Sequence, residues 1–556
     1  MRLKFHPRPL ALIFAMLIAA ICIQPDAKAN VYASNIKFNN SLSNFVASPG
    51  TSGAGITYIL NEPATRGVVV NIVSGTNVVR SISIAAGNFG THQGINRVIW
   101  DGKDGNGNAL TPGIYRVSVT ASATGFTSWT QTSTDTNAGY YVFAPRGIAV
   151  NTNPNSLYYG RVFVGNAQNN SSGNQPGDVD GILKVNADGS LADEGQSTGG
   201  YNWVDDGTQD SPHYLRYGQD DRIYALDFTG DGLIVACDMA MTTNEIVLNG
   251  LNYTNNPIQN NLNTGSVGWG IMDVTDAGTP NGRLWLGEYD FSGVGIWTWR
   301  MVNGVANTND TVGTQAVAVG GDLDQAPTGG FMTDESSNIY VSQEITDSAD
   351  SSARAMVFTN WNGVTAFTNG AFWKVGANDD TFNFVYDTAL SSRTNPAYVA
   401  YALAGDSGGI RVLSARTGLV VSNAASAQVL TNLDTPNTYF GVAWDAVGNL
   451  YGASASLQAW RAFSPPGTNQ ATTISAEAIQ ILLPTFTSIS VSGTNVVMTF
   501  TGYPNDAPSA YTIQSAANVQ GPYTNVTSAV ITKSSPGVFK ATTSTSGATA
   551  FYRVKR

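Results

Sequence analysis

Between about residues 143 and 480 one pattern of apolar and polar positions recurs along the chain. A short apolar strand is followed by a polar turn with Gly, Asn or Asp, and then by a second apolar strand. The pattern is read in "RGIAVNTNPNSLYYGRVFVGN" from Arg146, "YLRYGQDDRIYALDF" from Tyr214 and "WGIMDVTDAGTPNGRLWLGEY" from Trp269. It returns in "GGFMTDESSNIYVSQ" from Gly329, "PAYVAYALAGDSGGIRVLS" from Pro396 and "FGVAWDAVGNLYGAS" from Phe440. The strand after each turn recurs at roughly 50–60 residues, a spacing that fits one four-stranded unit per repeat. Such a unit cannot bury both of its faces alone. Units therefore stack around an axis, and the pattern predicts a β-propeller. Six repeats are visible, and seven blades result if segments from both ends complete one. Helical periodicity is nearly absent after the N-terminal segment.

On both sides of this region apolar and polar residues alternate strictly. "GITYILNEPATRGVVVNIVSGTNVVRSISI" begins at Gly55, and "FTSISVSGTNVVMTFTG" begins at Phe486. The hexapeptide SGTNVV occurs in both, at Ser74–Val79 and Ser492–Val497. Gly and Asn tolerate the positive φ that tight hairpins require. Each copy therefore predicts a hairpin turn, the same local solution in two unrelated sandwiches rather than a shared site. The fold class expected is all-β: a six- or seven-bladed β-propeller flanked by two small β-sandwich domains. The expected boundaries are a signal peptide at 1–29, an Ig-like sandwich and linker at 30–142 (core about 50–122), the propeller at 143–480 and a C-terminal sandwich at 484–556.

Three stretches carry family resemblances. "WDGKDGNGNALTPGIYRV" from Trp100 closely resembles the immunoglobulin-like domain of the flagellar hook-capping protein, which recurs in exported bacterial enzymes. The resemblance implies a small, accessory β-sandwich. "GVAWDAVGNLYGASASLQAWRAFSPPG" from Gly441 resembles the blades of NHL-type and gluconolactonase-like propellers. "YTIQSAANVQGPYTNV" from Tyr511, with the terminal "FYRV", is similar to fibronectin-type-III-like modules of exported bacterial proteins and implies attachment or spacing.

The N-terminus changes the picture of location. Arg2, Lys4 and Arg8 precede an apolar run from Leu10 to Ile23, and Ala27-Lys28-Ala29 has the small-x-small form of a cleavage site. The run is short for a membrane span, so it reads as a secretory signal, with lipidation at Cys22 and a retained anchor as alternatives. No later run is long enough for a second anchor. The expected location is secreted or at the cell surface of a bacterium, with the periplasm as an alternative. After cleavage Cys237 is the only cysteine, so no intrachain disulfide forms. It lies in the apolar "GLIVACDMA" and reads as a small buried hydrophobe.

Loss of Arg2, Lys4, Arg8, Lys28 and Asp26 takes the net charge from −11 to −14, which argues against nucleic acid and anionic lipid as partners. Charged residues are only 12%, against 10% aromatics and 59 glycines, as in exported β-rich proteins with polar, uncharged surfaces. A chain of 556 residues implies more than one domain.

Candidate chemistry follows from topology. The loop entering each innermost strand of a propeller lies at one mouth of the channel. Those entries hold Arg146, then Asp205, Asp206 and His213, then Trp269, then Asp322, Asp324 and Gln325, and then Asp434 and Tyr439. Arg146, Asp205, Asp206, His213, Trp269, Asp322, Asp324 and Tyr439 are the candidate ligand-binding set, because a concave site with a few polar groups suits a small molecule or glycan. The bland alternative is that these Asp and Asn side chains cap their own turns. Nine of the eleven tryptophans fall in the propeller, most of them expected to pack between blades and two to be exposed for stacking on a sugar.

Catalysis finds little support in the residues. Only His92 and His213 remain after cleavage, no Gly-x-Ser-x-Gly elbow is present, and a multi-His zinc site is excluded by count. Asp205, Asp206 and Asp324 could supply the paired carboxylates of a glycosidase. "DGKDGNGN", with Asp101, Asp104 and Asn106, has the look of a calcium loop but lacks the terminal acid of an EF-hand. No catalytic residue, metal ligand or cofactor is therefore assigned. The leading expectation is a non-catalytic binding or scaffold protein, its partner a polysaccharide or another surface protein. A propeller hydrolase or lyase acting on carbohydrate and a purely structural surface protein are the alternatives.

Overall fold

The computed structural model describes residues 31–555 except 39–44, 47–53, 109, 111–112, 193–197, 204–210, 228–232, 249–269, 289–294, 307–312, 325–328, 344–351, 378–381, 383, 405–407, 420, 422–436, 468–471, 482–483, 503–505 and 545–549. The fold is all-β. Six antiparallel sheets form the blades of a propeller among the described residues. Their innermost strands are Pro145–Val150, Tyr214–Gly218, Gly270–Thr275, Phe331–Thr333, Val385–Leu390 and Tyr439–Trp444, in blades 1 to 6. Each lies beside the next, and that of blade 6 returns to that of blade 1, which closes the ring.

Close approach of these strands demands small residues. A Cβ on Gly147 would lie 2.5 Å from the His213 carbonyl oxygen, and one on Gly441 would lie 2.5 Å from that of Arg146. Both glycines sit where neighbouring blades touch backbone to backbone. Between the blades the space is filled by large rings. Trp203, Trp285, Trp299, Trp361, Trp373, Trp444 and Trp460 are buried, and Trp297 is partly buried. Trp285 meets Trp361 edge-on at 5.3 Å, which ties blade 3 to blade 4.

Five of the six sequence repeats coincide with the first and second strands of a blade. The fifth is displaced. "PAYVAYALAGDSGGIRVLS" forms the second and third strands of blade 5, Tyr398–Leu403 and Gly409–Ser414, while its innermost strand is the preceding Val385–Leu390. The turn between them, Ser391–Ala397, contains no glycine, and Asp387 interrupts the apolar run.

Blade 6 is completed from elsewhere in the chain. Its outermost strand is Thr130–Gln131, which pairs with Phe463 and Ser464. Arg461 and Asp135 reinforce this closure with an ion pair at 2.6 Å.

Two sandwiches flank the ring. In the N-terminal one a three-stranded sheet (Ala33–Phe38, Ala54–Leu60, Gly94–Trp100) faces a five-stranded sheet. That second sheet includes Gly67–Ser74, Asn77–Ile84 and Gly113–Ser122, and also Thr472–Ile481, which arrives after the propeller. Thr472–Ile481 runs antiparallel to Gly113–Ser122 from Thr472↔Ala121 to Ile481↔Gly113. Tyr32, Tyr58, Trp100, Val70 and Val119 fill the core between the sheets. The C-terminal sandwich packs Thr485–Ser492, Asn495–Thr501, Val530–Ser535 and Val538–Ser544 over Thr512–Ala516, Thr524–Asn525 and Phe551–Lys555. Its core is Met498, Phe500, Tyr511, Ile513 and Phe539. Both SGTNVV copies are two-residue hairpins, with Ser74 opposite Asn77 and Ser492 opposite Asn495, and with φ of 59° at Gly75 and 61° at Gly493.

In "DGKDGNGN" the carboxylates are used within the loop. Asp104 accepts the amides of Asn106 and Asn108 at 2.9 and 2.8 Å, and Asp101 accepts that of Lys103 at 3.1 Å. Among the described residues no group of three or more His, Cys, Asp and Glu is placed to hold a metal ion.

Candidate functional site

The channel has three layers. At the entry end, side chains from four blades meet. The Arg146 guanidinium lies 4.5 Å from the Phe440 ring centre. Tyr386 packs edge-on against Phe440 at 4.6 Å, and His213 lies 6.4 Å from it. His213 also packs on Tyr214 at 4.9 Å, and the Tyr214 hydroxyl donates to the Tyr386 carbonyl at 2.8 Å. Arg146 and His213 are thus brought together, around the rings of Phe440, Tyr386 and Tyr214.

The other entry residues go elsewhere. Tyr439 is fully buried in the core, its ring against Gly452. Asp322 pairs with Lys374 at 2.6 Å and accepts the amides of Gly370 and Ala371 at 2.6 and 2.8 Å, all at the outer edge of blade 4. Its partial burial would raise the carboxyl pKa; Lys374 and the two amides outweigh that and hold it below the usual range. Asp324 is exposed and accepts the Ser352 hydroxyl at 3.0 Å. Asp205, Asp206, Trp269, Gln325 and Asp434 lie outside the described residues.

In the middle of the channel two arginines and two aspartates cross between blades. Arg216 of blade 2 reaches Asp387 of blade 5 at 2.6 Å and lies 4.0 Å from Asp273 of blade 3. Asp273 is also clasped by Arg393 through two contacts of 2.5 and 2.9 Å. Amides of Thr333 and Val442 donate to Asp273 and Asp387 at 2.9 and 3.1 Å, which brings in blades 4 and 6. Both aspartates are fully buried. Burial acts to discharge Arg216, but Asp387 and Asp273 outweigh it and hold the guanidinium more firmly protonated than usual.

At the exit end the channel opens. A cavity of about 290 Å³ is lined by the ends of the innermost strands and the turns that follow, from every blade but the third. Its polar edge is Gln219, Glu335, Ser392 and Arg393, and its apolar wall includes Leu215, Leu390 and Trp444. A second cavity of about 380 Å³ lies along the seam of blades 3 and 4, between Arg283, Trp285 and Arg300 on one side and Trp361 and Asn362 on the other. Gln219, Glu335 and Arg393 line both.

Among the described residues a concave, polar-edged surface thus lies at the exit mouth, at the end opposite the entry loops. Asp445, at the cavity wall, turns its carboxylate inward to Asn449, Tyr451 and the Val447 amide. Sequence carried one signal for the ionic layer: Arg216, Asp273 and Asp387 each stand inside an otherwise apolar strand.

The sheets and the channel define a β-propeller protein, and its N-terminal part carries a FlgD Ig-like domain, matched over residues 42–125. No curated protein matches the chain. Among solved structures it is similar to a carbohydrate-active enzyme of family AA12 from Trichoderma reesei, with 14% identity over 58% of this chain and 93% of that one, at a TM-score of 0.34. It is also similar to PorZ, a bacterial surface component of the type-IX secretion system of Porphyromonas gingivalis, with 12% identity over 88% of this chain and 64% of that one, at 0.33. A third is the soluble aldose sugar dehydrogenase from Escherichia coli, with 8% identity over 59% and 97%, at 0.32. The propeller fold itself is read from the sheet order. Among the described residues no helix is long and apolar enough to cross a membrane.

Proposed function

We propose that this is a secreted or cell-surface binding and scaffold protein whose propeller seats a carbohydrate polymer at the exit mouth without altering it. One observation carries the reading. The channel is filled at its entry end by Arg146, His213, Tyr214, Tyr386 and Phe440 and in its middle by matched charges, while its exit end is concave and edged by polar side chains. Ligands favour such concave sites, with apolar walls and a few fixed polar groups. The buried carboxylates Asp273 and Asp387 are engaged by arginines and amides, an arrangement suited to rigidity rather than to acid–base chemistry. In this reading the two sandwiches, divided from the ring near residues 142 and 484, space or attach the propeller. Export rests on the pattern of the first 29 residues.

The test is affinity electrophoresis of the full chain through gels holding several polysaccharides, beside Ser392→Trp, which fills the cavity from an exposed position. Retardation by a polymer that Ser392→Trp abolishes, with the melting temperature unchanged, supports the seat. No retardation by any polymer, or retardation that Ser392→Trp leaves intact, removes it.

A further inference from the structure

Two chains of hydrogen bonds cross the seam between the N-terminal sandwich and blade 6, and both end on Asp445. In the first, the Glu62 carboxyl meets the Ser464 hydroxyl at 2.7 Å, and Ser464 meets Asn449 Oδ1 at 2.8 Å. Asn449 Nδ2 then donates to Asp445 at 2.8 Å. In the second, the hydroxyls of Tyr32 and Tyr451 meet at 3.2 Å, and Tyr451 donates to Asp445 at 3.1 Å. All six residues are buried.

Counting hydrogens along the first chain assigns a proton. Asp445 Oδ1 accepts the amides of Val447 and Asn449 at 3.0 and 2.8 Å, and Oδ2 accepts Asn449 Nδ2 and Tyr451. Four donors suit a carboxylate. Glu62 has no such set: Ser464 meets its Oε2, and Oε1 is buried with no hydrogen-bond partner. Because Asn449 Nδ2 is turned to Asp445, its Oδ1 faces Ser464. Ser464 therefore stands between two oxygens with a single hydrogen to give. An ionised Glu62 takes that hydrogen, and Asn449 Oδ1 is left against the Ser464 lone pairs. A protonated Glu62 donates to Ser464, Ser464 donates to Asn449, and each contact is a hydrogen bond.

The charges around Glu62 favour the same state. Asp445 and Tyr451 face it from blade 6 and Tyr32 from the sandwich, with Tyr159 and Asp188 of blade 1 beyond Tyr32. All are acids. Arg66, on the same loop as Glu62, is exposed, and Arg461, on the strand of Ser464, pairs with Asp135. Burial pushes the Glu62 carboxyl up to about 7, and Asp445 adds to the rise. Burial takes Asp445 only to about 6, against its donors, so Glu62 keeps its proton longer.

We infer that this seam is a proton-held latch, closed while Glu62 is the neutral acid and loosened when Glu62 ionises. Ionisation leaves Oε1 charged, out of water and without a donor, and parting of the seam relieves it by admitting water. The latch sits on the ring closure, because Ser464 pairs with Thr130 of the strand that completes blade 6. From the sandwich, Gln93 holds the same segment by donating to the Thr132 carbonyl at 3.0 Å. Opening therefore loosens the closing strand together with the sandwich. None of this depends on what the exit mouth binds.

The experiment is hydrogen exchange of the full chain, read by mass spectrometry in peptides over 126–134 and 459–466, with strand Val538–Ser544 as reference. After correction for intrinsic rates, protection of the two peptides should fall about tenfold per pH unit between pH 5 and 7, the slope of one proton lost on opening. The reference should not change. Glu62→Gln, whose amide donates to Ser464 at every pH, should remove most of the fall. The infrared band of a protonated carboxyl should be present at pH 5 and missing from Glu62→Gln. Ser464→Ala should move the loss of that band to higher pH, since it removes the donor to the ionised form. Protection that stays level from pH 5 to 8 overturns the latch, as does a fall that Glu62→Gln leaves unchanged, which would assign the titration to Asp445. A missing carboxyl band, or one whose loss Ser464→Ala does not move, overturns the proton assignment. The wild-type profile and Ser464→Ala decide the matter even where Glu62→Gln fails to fold.

Discussion

Arg216 and Asp387 lie 171 residues apart in sequence and meet at 2.6 Å across the propeller channel. Their blades, the second and the fifth, are not neighbours in the ring. The pair with Asp273 and Arg393 therefore links blades that no shared hydrophobic seam joins.

Breaking this link from one side leaves a buried charge without its partner. Arg216→Met or Asp387→Leu alone is expected to cost about 3–5 kcal/mol, whereas Arg216→Met/Asp387→Leu should recover much of the loss. Chemical denaturation of the three variants as a double-mutant cycle measures it. Single variants that lose less than about 1 kcal/mol would show the pair to be no stronger than a surface bridge.

A second buried carboxyl makes the seam between the N-terminal sandwich and blade 6 sensitive to pH. Glu62 accepts the Ser464 hydroxyl at 2.7 Å and is 1% exposed. Burial pushes its carboxyl from 4.5 up to about 7, Asp445 adds to the rise, and Ser464 opposes it. Burial also pushes Asp445 to about 6. A folded-state pKa above the unfolded one favours the protonated acid in the fold. The stability that Glu62 contributes is therefore complete below pH 4.5 and lost as pH rises through about 7, a change of about 3 kcal/mol. Glu62→Gln should flatten the fall in melting temperature between pH 4.5 and 8. An unchanged slope in that variant would assign the fall to other groups.

Ring closure depends on Gly147 and Gly441. Either one changed to Ala puts a methyl group against the backbone of the adjoining blade, at 2.5 Å from a carbonyl oxygen. Each should destabilise the protein by about 1–3 kcal/mol through overpacking that no side chain can relieve. Ala introduced at Gly105, where the nearest atom is 3.8 Å away, is the control. Equal melting temperatures for all three variants would contradict the closeness of the inner strands.

Cys237 should resist thiol reagents in the native protein. It is fully buried, its sulfur lies against Gly200, and burial pushes the thiol up to about 12. At pH 8 labelling should proceed only after denaturant unfolds blade 2, because the thiolate is the reactive form. Rapid labelling without denaturant would place this strand at the surface.

Much of the ring was legible because its inner strands are mostly apolar and are followed by polar turns with Gly, Asn or Asp and then by a second apolar strand. Blade 5 was misaligned by one strand because its glycine-bearing segment, residues 404–408, lies between its second and third strands rather than between its first and second. The closing strand Thr130–Gln131 is too short for any periodicity and is defined only by partners more than 300 residues away. The candidate site is placed only in part, because Asp205, Asp206 and Trp269 lie outside the described residues. Entry loops rich in Asp looked like ligand groups, yet Asp322 serves a lysine and two amides. Gln219, Glu335 and Arg393 pass for ordinary turn residues until the ring brings three blades together.

The return of Thr472–Ile481 to the first sandwich has a mechanical meaning. The chain leaves that sheet at Ser122, passes round the whole propeller and re-enters the same sheet beside the strand it left. A pull between the first strand of the N-terminal sandwich and the C-terminal sandwich would be borne by that sheet, in shear along its paired strands. The six blades hang from it as a closed loop outside the line of tension. The cavity at the exit mouth lies within that loop.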